Sequence, residues 1–131
     1  MRLIGIDYGQ KRVGIAVSDE ENRIAFPRTI LKNDKHLLDL IEKICQEEKI
    51  DRIVMGESYN CQGKSNKLME KIISFKNELK KKLKLPIKLE KEFMTTIEAR
   101  RYQENKKEVD SSAAALILQR YLDRLNIKRK D

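Results

Sequence analysis

The first part of the chain alternates between short apolar runs and polar turns, a pattern that predicts β-strands. Residues 3–6 and 13–17 are apolar and rich in β-branched side chains, and the polar, glycine-containing stretch 8–12 separates them. Two such runs joined by about five residues are typical of a β-hairpin. After a polar turn, residues 23–31 predict a third strand. Pro27 within it indicates a sheet edge or a bulge, because proline donates no ladder hydrogen bond.

Three later segments carry apolar residues every three or four positions, the spacing of a helix with one buried face. The expected caps are Asn33 or Asp34 for a helix that ends near residue 48, Ser65 for one that ends in the lysines of 80–84, and Asp110, Ser111 and Ser112 for the last one. Residues 95–98 resemble a capping box that opens a further short helix, and a polar loop is expected at 103–108.

Two short apolar runs lie between the predicted helices. Residues 51–56 predict a buried strand of the parallel type, since a helix leads into it. Residues 87–92 predict a fifth strand, in which alternation puts Lys88, Glu90 and Glu92 on one face. An antiparallel meander followed by alternating helices and strands implies an α/β fold, with a mixed five-stranded sheet and helices on both faces.

The length and charge of the chain narrow its class of partner. With 131 residues we expect one domain at 1–125, followed by a frayed basic tail at 126–131. The net charge of +8 favours a polyanion, and nucleic acid is the commonest one. With three Phe, four Tyr and no Trp, contacts to the phosphate backbone are a better expectation than base stacking.

The cysteines and the single histidine carry no recognisable site. Cys45 and Cys61 lie in different predicted elements without a CxxC partner, and His36 completes no zinc-binding set. We therefore expect free thiols in a reducing compartment. Asp7 interrupts the first apolar stretch before a signal-peptide core could form, and no apolar run approaches membrane-spanning length. The expectation is a soluble, cytoplasmic protein without a membrane partner.

The carboxylate of Asp7 is unusual because it closes an apolar strand, where it has no packing role. One interpretation is that it holds a metal ion, or a phosphate-bound cation, at the rim of the sheet. The other is that it starts the following turn through an Asx-type side-chain hydrogen bond. Gly9 fits both, since it lets the backbone bend away from the strand end.

Motifs along nearly the whole chain resemble the YqgF family of Holliday-junction-resolvase-like nucleases. They are Asp7-Tyr8-Gly9 with residues 14–18, the segment 51–63, the stretch from Leu85-Pro86 to Glu92 with residues 95–99, and Asp110 before residues 113–119. The resemblance implies a ribonuclease H-like fold and a nuclease that matures the small-subunit ribosomal RNA precursor. Resolution of Holliday junctions or other branched DNA is the alternative activity.

The same resemblance implies a catalytic metal site at Asp7, Glu92 and Asp110, holding Mg²⁺ or Mn²⁺, which prefer hard oxygen ligands. The chain departs from the family pattern where Lys91 and Phe93 flank Glu92, and where Glu57-Ser58 replaces Leu-Pro. Resolvases of the related fold carry an acid near that strand end, so the resemblance makes Glu57 an additional candidate ligand. Glu90, on the same predicted strand face as Glu92, is an alternative one.

Basic residues in loops and first turns around this site are the candidates for phosphate contacts. They are Lys11, Arg12, Lys64, Lys67, Arg100, Arg101, Lys106 and Lys107. Lys91 and the short loop before Asp110 leave open a nucleic-acid-binding scaffold whose catalysis has lapsed. A sugar-kinase or actin-like ATPase is a third hypothesis, because Asp7, Gly9 and Gly14 resemble the phosphate loop of that superfamily. The expected assembly is a monomer or a weak homodimer.

Overall fold

The computed structural model describes residues 2–57, 67–91 and 106–130, with the backbone alone at residue 91 and at residues 106–112 and 128–130. Within these ranges lie five strands and three helices. The strands are β1 (Arg2–Tyr8), β2 (Arg12–Ser18), β3 (Ala25–Lys32), β4 (Ile50–Glu57) and β5 (Ile87–Lys91). The helices are α1 (Leu37–Glu47), α2 (Lys67–Leu83) and α3 (Lys106–Lys130).

The strands form one mixed sheet in the order β3-β2-β1-β4-β5. β1, β2 and β3 are an antiparallel meander, and β4 and β5 run parallel to β1. β3 is an edge strand, and the ladder shifts register between Ile15 and Ala16, where Ala16 lies opposite Pro27. Both consequences expected of this proline, an edge and an irregularity, are therefore present. The mixed five-stranded sheet is confirmed.

Helices cover both faces of the sheet, because apolar residues alternate between two cores. Ile4, Ile6, Ile53 and Met55 pack with the buried residues of α1 and α2. The intervening sheet residues Leu3, Ala16 and Val54 pack against α3, where Ala114, Ile117, Leu118 and Leu122 are buried. Every other residue of β1 and β4 thus belongs to the α3 face, and this alternation fixes which side of the sheet each polar residue occupies.

Gly5 allows α3 to approach β1 unusually closely. A Cβ at this position would lie 2.8 Å from Leu118 Cβ and 2.9 Å from the Ala114 carbonyl oxygen, nearer than ordinary van der Waals contact. Further along α3, Asn126 Nδ2 donates a hydrogen bond to the Asn22 carbonyl, in the β2–β3 turn beside the beginning of β1. The helix therefore runs antiparallel to β1, with its N-terminal half toward the end of that strand.

Helix α3 differs from its prediction at both ends. It begins at Lys106 instead of at Asp110, so Asp110 lies in its second turn and is not the cap. The polar loop expected at 103–108 is wrong for its last residues, since Lys106, Lys107 and Glu108 have high helix propensity and extend the helix. The helix also continues to Lys130 through the expected tail, because Asn126 is tied to the β2–β3 turn.

Smaller corrections concern the hairpin and α1. The β1–β2 connection has three residues, 9–11, and not about five. α1 begins at Leu37, after His36 in the cap position, which makes no side-chain cap hydrogen bond. Asp34 Oδ1 instead accepts a hydrogen bond from the His36 amide (2.9 Å), closing a local turn before the helix. His36 is exposed, as expected.

Candidate active site

Asp7 lies near the carboxyl end of β1, half-buried, on the face of the sheet that α3 covers. It pairs with Gly14 of β2, and Tyr8 continues the ladder after it, so the turn begins beyond Asp7. The turn itself is tight, since a Cβ at Gly9 would lie 2.5 Å from the Arg12 carbonyl oxygen. Asn33 Nδ2 donates to the Gly9 carbonyl (2.7 Å), which holds the turn in place beside Asp7.

A row of residues crosses the sheet from Asp7 to Glu90. Ile6 pairs with Met55, so the next residue along each strand places Asp7 beside Gly56, and Gly56 pairs with Glu90. Two strand spacings separate Asp7 from Glu90, about 10 Å between Cα atoms. The residue between them is glycine, so no β4 side chain stands in this row. Both acids thus belong to the α3 face at the same end of the sheet.

Glu90 is already engaged by α3. Its side chain is 4% exposed and forms an ion pair with Arg124, which is 60% exposed. Burial raises the pKa of Glu90 above its usual value, and the charges of Arg124 and Arg120 offset part of that rise. Glu90, a candidate ligand from the sequence, therefore lies in the Asp7 row with its charge balanced by arginine.

Glu57 ends β4 and follows Gly56, so alternation turns it toward the face of α1 and α2. It is half-buried, and its negative charge contributes to the raised pKa of Glu90. Glu57 therefore belongs to the same end of the sheet as Asp7 but not to the same face.

The backbone of α3 brings Asp110 toward Asp7. Asp110 lies one turn before Ala114, whose carbonyl approaches Gly5. Four helical residues span about 6 Å, and the two strand residues from Gly5 to Asp7 span about 7 Å in the same direction. The turn that contains Asp110 is thus level with Asp7. Glu92, the third predicted ligand, lies outside the described residues.

The predicted phosphate-contacting residues divide by location. Lys11 is exposed in the turn after Asp7, Arg12 is exposed at the start of β2, and Lys67 is exposed at the start of α2. Lys106 and Lys107 form the first turn of α3, at the Asp7 end of the sheet. Lys64, Arg100 and Arg101 lie outside the described residues. The structure thus gathers two of the basic segments, the β1–β2 turn and the start of α3, at the edge where Asp7 lies.

The sequence reading missed the arginines of α3 and the basic residues opposite them. Arg120 and Arg124 are one helical turn apart and approach Glu90, while Arg52 Nη1 donates to Tyr121 Oη (2.7 Å). The available signal was the four-residue spacing of the two arginines beside the buried positions of the helix. It could not be read without knowing that Glu90 faces α3.

The acids at this edge suit a divalent cation by chemistry and position. Asp7 offers a half-buried carboxylate at a strand end, opposite the N-terminal turns of a helix that carries another acid. Carboxylate oxygens are the ligands that Mg²⁺ and Mn²⁺ prefer. Among the side chains that the structure describes, no three potential ligands form a cluster.

The family model described as "RuvX: Holliday junction resolvase" matches residues 1–124. The chain belongs to the RuvX family. Among its relatives is a Clostridium novyi (strain NT) protein named "Putative pre-16S rRNA nuclease", 38% identical over 94% of this chain and 98% of that protein. A Caldanaerobacter subterraneus protein of the same name is 33% identical over 94% of this chain and 96% of its own length. YqgF is another name of this family, so the resemblance to the YqgF nucleases is confirmed.

Solved resolvase structures share the fold of this RuvX-family chain. Thermus thermophilus RuvC superposes with a TM-score of 0.64 at 12% identity, over 96% of this chain and 97% of that one. The same protein in complex with a Holliday junction substrate gives a TM-score of 0.61 at 13% identity, covering 93% of each chain. At this identity the likeness concerns the fold, which is ribonuclease H-like as expected. Across the described residues, no helix combines the length and apolar character needed to cross a bilayer.

Proposed function

We propose that this RuvX-family protein is a divalent-metal-dependent endonuclease that hydrolyses phosphodiester bonds in the precursor of 16S ribosomal RNA. The observation that carries the proposal is the antiparallel placement of α3 on β1, in which the turn of Asp110 is level with Asp7. The names of relatives at 33% and 38% identity support the substrate. Such a substrate implies a cytoplasmic location.

In this proposal Asp7, Glu92 and Asp110 would hold Mg²⁺ or Mn²⁺ at the rim of the sheet. Such an ion would supply Lewis-acid chemistry for phosphodiester hydrolysis. The protein holds Asp7 rigidly for this role, because β1 is paired on both sides, to β2 and to β4. Glu90 has its charge balanced by Arg124, so we assign it a supporting position and not a ligand role.

The basic residues at the same edge are proposed to bind the phosphates that flank the scissile bond. Lys11 lies in the tight turn after Asp7 and Arg12 begins β2, while Lys106 and Lys107 precede Asp110 by about one helical turn. Cations placed here favour a polyanion without reading its bases. We further propose that residues 1–125 form the nuclease domain, acting as a monomer or a weak homodimer.

Cleavage of branched DNA is the second candidate, favoured by the family description and by the resolvase fold. The two candidates use one site and differ in substrate. We therefore expect the wild-type protein to cut a transcript of the 16S precursor leader in Mg²⁺ or Mn²⁺ in preference to a four-way DNA junction. Preference for the junction would replace the first candidate by the second. Binding of either substrate without turnover in any divalent metal would indicate a scaffold whose catalysis has lapsed.

The site assignment is tested by removing single carboxylate charges. Asp7→Asn and Asp110→Asn should each abolish metal-dependent cleavage, because an amide is a poorer ligand for a hard cation. Asp51→Asn is the matched control, since Asp51 is an exposed acid at the opposite end of β4 and should leave cleavage unchanged. Metal-dependent cleavage that survives both active-site substitutions would refute the assignment.

A further inference from the structure

Helix α3 presents different chemistry on its two flanks. Gln119 faces the meander, where its Oε1 accepts a hydrogen bond from the Ala25 amide (2.9 Å) and its Nε2 donates to the Arg23 carbonyl (2.8 Å). Arg124, on the opposite flank, reaches β5 and pairs with Glu90. Arg120 lies one turn before Arg124 and also acts on the charge of Glu90. The arginine flank of the helix therefore borders the β4–β5 side of the sheet.

The sheet contributes further cations on this side. Alternation and register put Arg52 of β4 and Lys88 of β5 on the α3 face, with Lys88 beside Val54. Lys88 is exposed. The guanidinium of Arg52 donates to the neutral Tyr121 hydroxyl, and its buried Nε has no hydrogen-bond partner. Within the described part of the chain, neither Arg52 nor Lys88 has a carboxylate partner. We call the surface between α3 and β5 the β5 groove, lined by Arg52, Lys88, Arg120 and Arg124.

Among the described residues, the β5 groove holds four cations and one carboxylate, that of Glu90. Arg52 is half-buried, its guanidinium contacts the neutral Tyr121 hydroxyl, and its Nε has no hydrogen-bond partner. A partly desolvated guanidinium held in this way is costly, so an anionic ligand would stabilise the surface. Guanidinium groups bind phosphate bidentately, which suits them to this role better than lysine alone.

The groove is also on the catalytic face. Glu90 is in the row that Gly56 connects to Asp7, and Lys88 precedes Glu90 by two residues on the same side of β5. A nucleic-acid strand bound at the carboxylates could therefore continue into the groove on the same face of the sheet. Tyr121 is the one aromatic residue that we find there among the described residues, and its hydroxyl is engaged by Arg52. Contacts would thus be to the backbone, and not to stacked bases.

We propose that the β5 groove binds the sugar–phosphate backbone of the nucleic acid whose scissile phosphate lies at Asp7. This inference rests on the proposed function and extends it, since these cations are separate from those of the β1–β2 turn and the start of α3. In this proposal the bound nucleic-acid backbone extends from the active site along β5.

The test measures binding without cleavage, using a fluorescein-labelled RNA hairpin with a single-stranded extension in EDTA. Fluorescence anisotropy at several KCl concentrations gives the slope of log K against log salt. Lys88→Gln and Arg120→Gln should each reduce the magnitude of this slope by about 0.7–0.9, and the double variant by roughly twice as much. Lys80→Gln is the control, because Lys80 is exposed on α2, across the sheet, and should leave the slope unchanged. Circular dichroism confirms that each variant is folded.

The outcomes separate the groove from the proposed function. Slopes for Lys88→Gln and Arg120→Gln equal to that of the wild type would overturn the groove, even if the wild type cleaves RNA in Mg²⁺. Reduced slopes together with a wild type that cuts nothing would support the groove and refute the nuclease. A wild type that binds no hairpin at any salt concentration would refute both.

Discussion

The contact between Gly5 and α3 allows a quantitative test of how the fold positions the site. Gly5→Ala adds a Cβ that would lie 2.8 Å from Leu118 Cβ and 2.9 Å from the Ala114 carbonyl oxygen. Carbon atoms in contact prefer separations of about 3.5–4.0 Å, so the helix has to move away from β1 by roughly 0.7–1.2 Å. Truncating Leu118 to alanine cannot relieve the contact, because the Cβ and the backbone oxygen remain.

Two effects of different kind should follow from this displacement. Overpacking of a close contact costs about 1–3 kcal/mol of unfolding free energy. A shift of about 1 Å in a catalytic group lowers turnover by roughly 100-fold. Because α3 carries Asp110 and β1 carries Asp7, we expect Gly5→Ala to lose activity well beyond its loss of stability at a temperature where it is fully folded.

The assay combines urea denaturation with the rate of RNA cleavage in Mn²⁺. Ile41→Val is the matched control, since Ile41 is fully buried in the core of α1, across the sheet, and the change should cost about 0.5–1.5 kcal/mol. This control should keep the wild-type cleavage rate. A Gly5→Ala protein that is destabilised but cleaves at the wild-type rate would refute the claim that the α3–β1 contact sets the geometry of the site.

Three further predictions concern buried groups. Burial raises the pKa of Glu90 above 4.5, so the folded state holds the carboxyl proton more tightly than the unfolded state does. The unfolding free energy should therefore fall as the pH rises from below 4.5 through the raised pKa. Glu90→Gln should flatten this trend in urea denaturation between about pH 4 and pH 7. Burial also raises the pKa of the Cys45 thiol to about 11, so in a Cys61→Ser background a thiol reagent at neutral pH should label Cys45 only as the protein unfolds; rapid native-state labelling would contradict its burial. Tyr121→Phe removes the acceptor of the Arg52 guanidinium and should cost about 1–2 kcal/mol, whereas an unchanged urea midpoint would show that this hydrogen bond contributes nothing.

The sheet could be predicted from the chain because its signals are local. The β-branched runs of β1 and β2 alternate between two cores, and Pro27 both marks an edge and coincides with a register shift. The helical stripes of α1 and α2 are similarly local, since Ile41 and Ile72 recur with the expected spacing and are buried. Where one pattern decides burial, the sequence and the structure agree.

The limits of α3 could not be predicted from its caps, because other residues outweigh the cap preference at both ends. Asp110 is a favourable cap in isolation, yet the lysines before it extend the helix and put it in the second turn. At the other end, Asn126 is held by the Asn22 carbonyl, a contact 104 positions away in sequence. A cap preference of about 1 kcal/mol is too small to set a helix limit against such contacts.

The candidate site shows the same division. Asp7 could be singled out, since an acid has no packing role at the end of an apolar strand. The engagement of Glu90 by Arg124 could not, because it requires the register of β4 with β5 and the direction of α3 across the sheet. For the same reason the sequence pointed to basic loops and missed the β5 groove.

A crystal soaked in Mn²⁺ and measured for anomalous scattering would show whether acids distant in sequence meet at one metal-binding edge. We expect an anomalous peak between the carboxylates of Asp7 and Asp110, within about 2.0–2.5 Å of oxygen atoms from both. A Mn²⁺ ion bound elsewhere, or no peak beside Asp7 in a well-diffracting crystal saturated with the ion, would contradict this metal site.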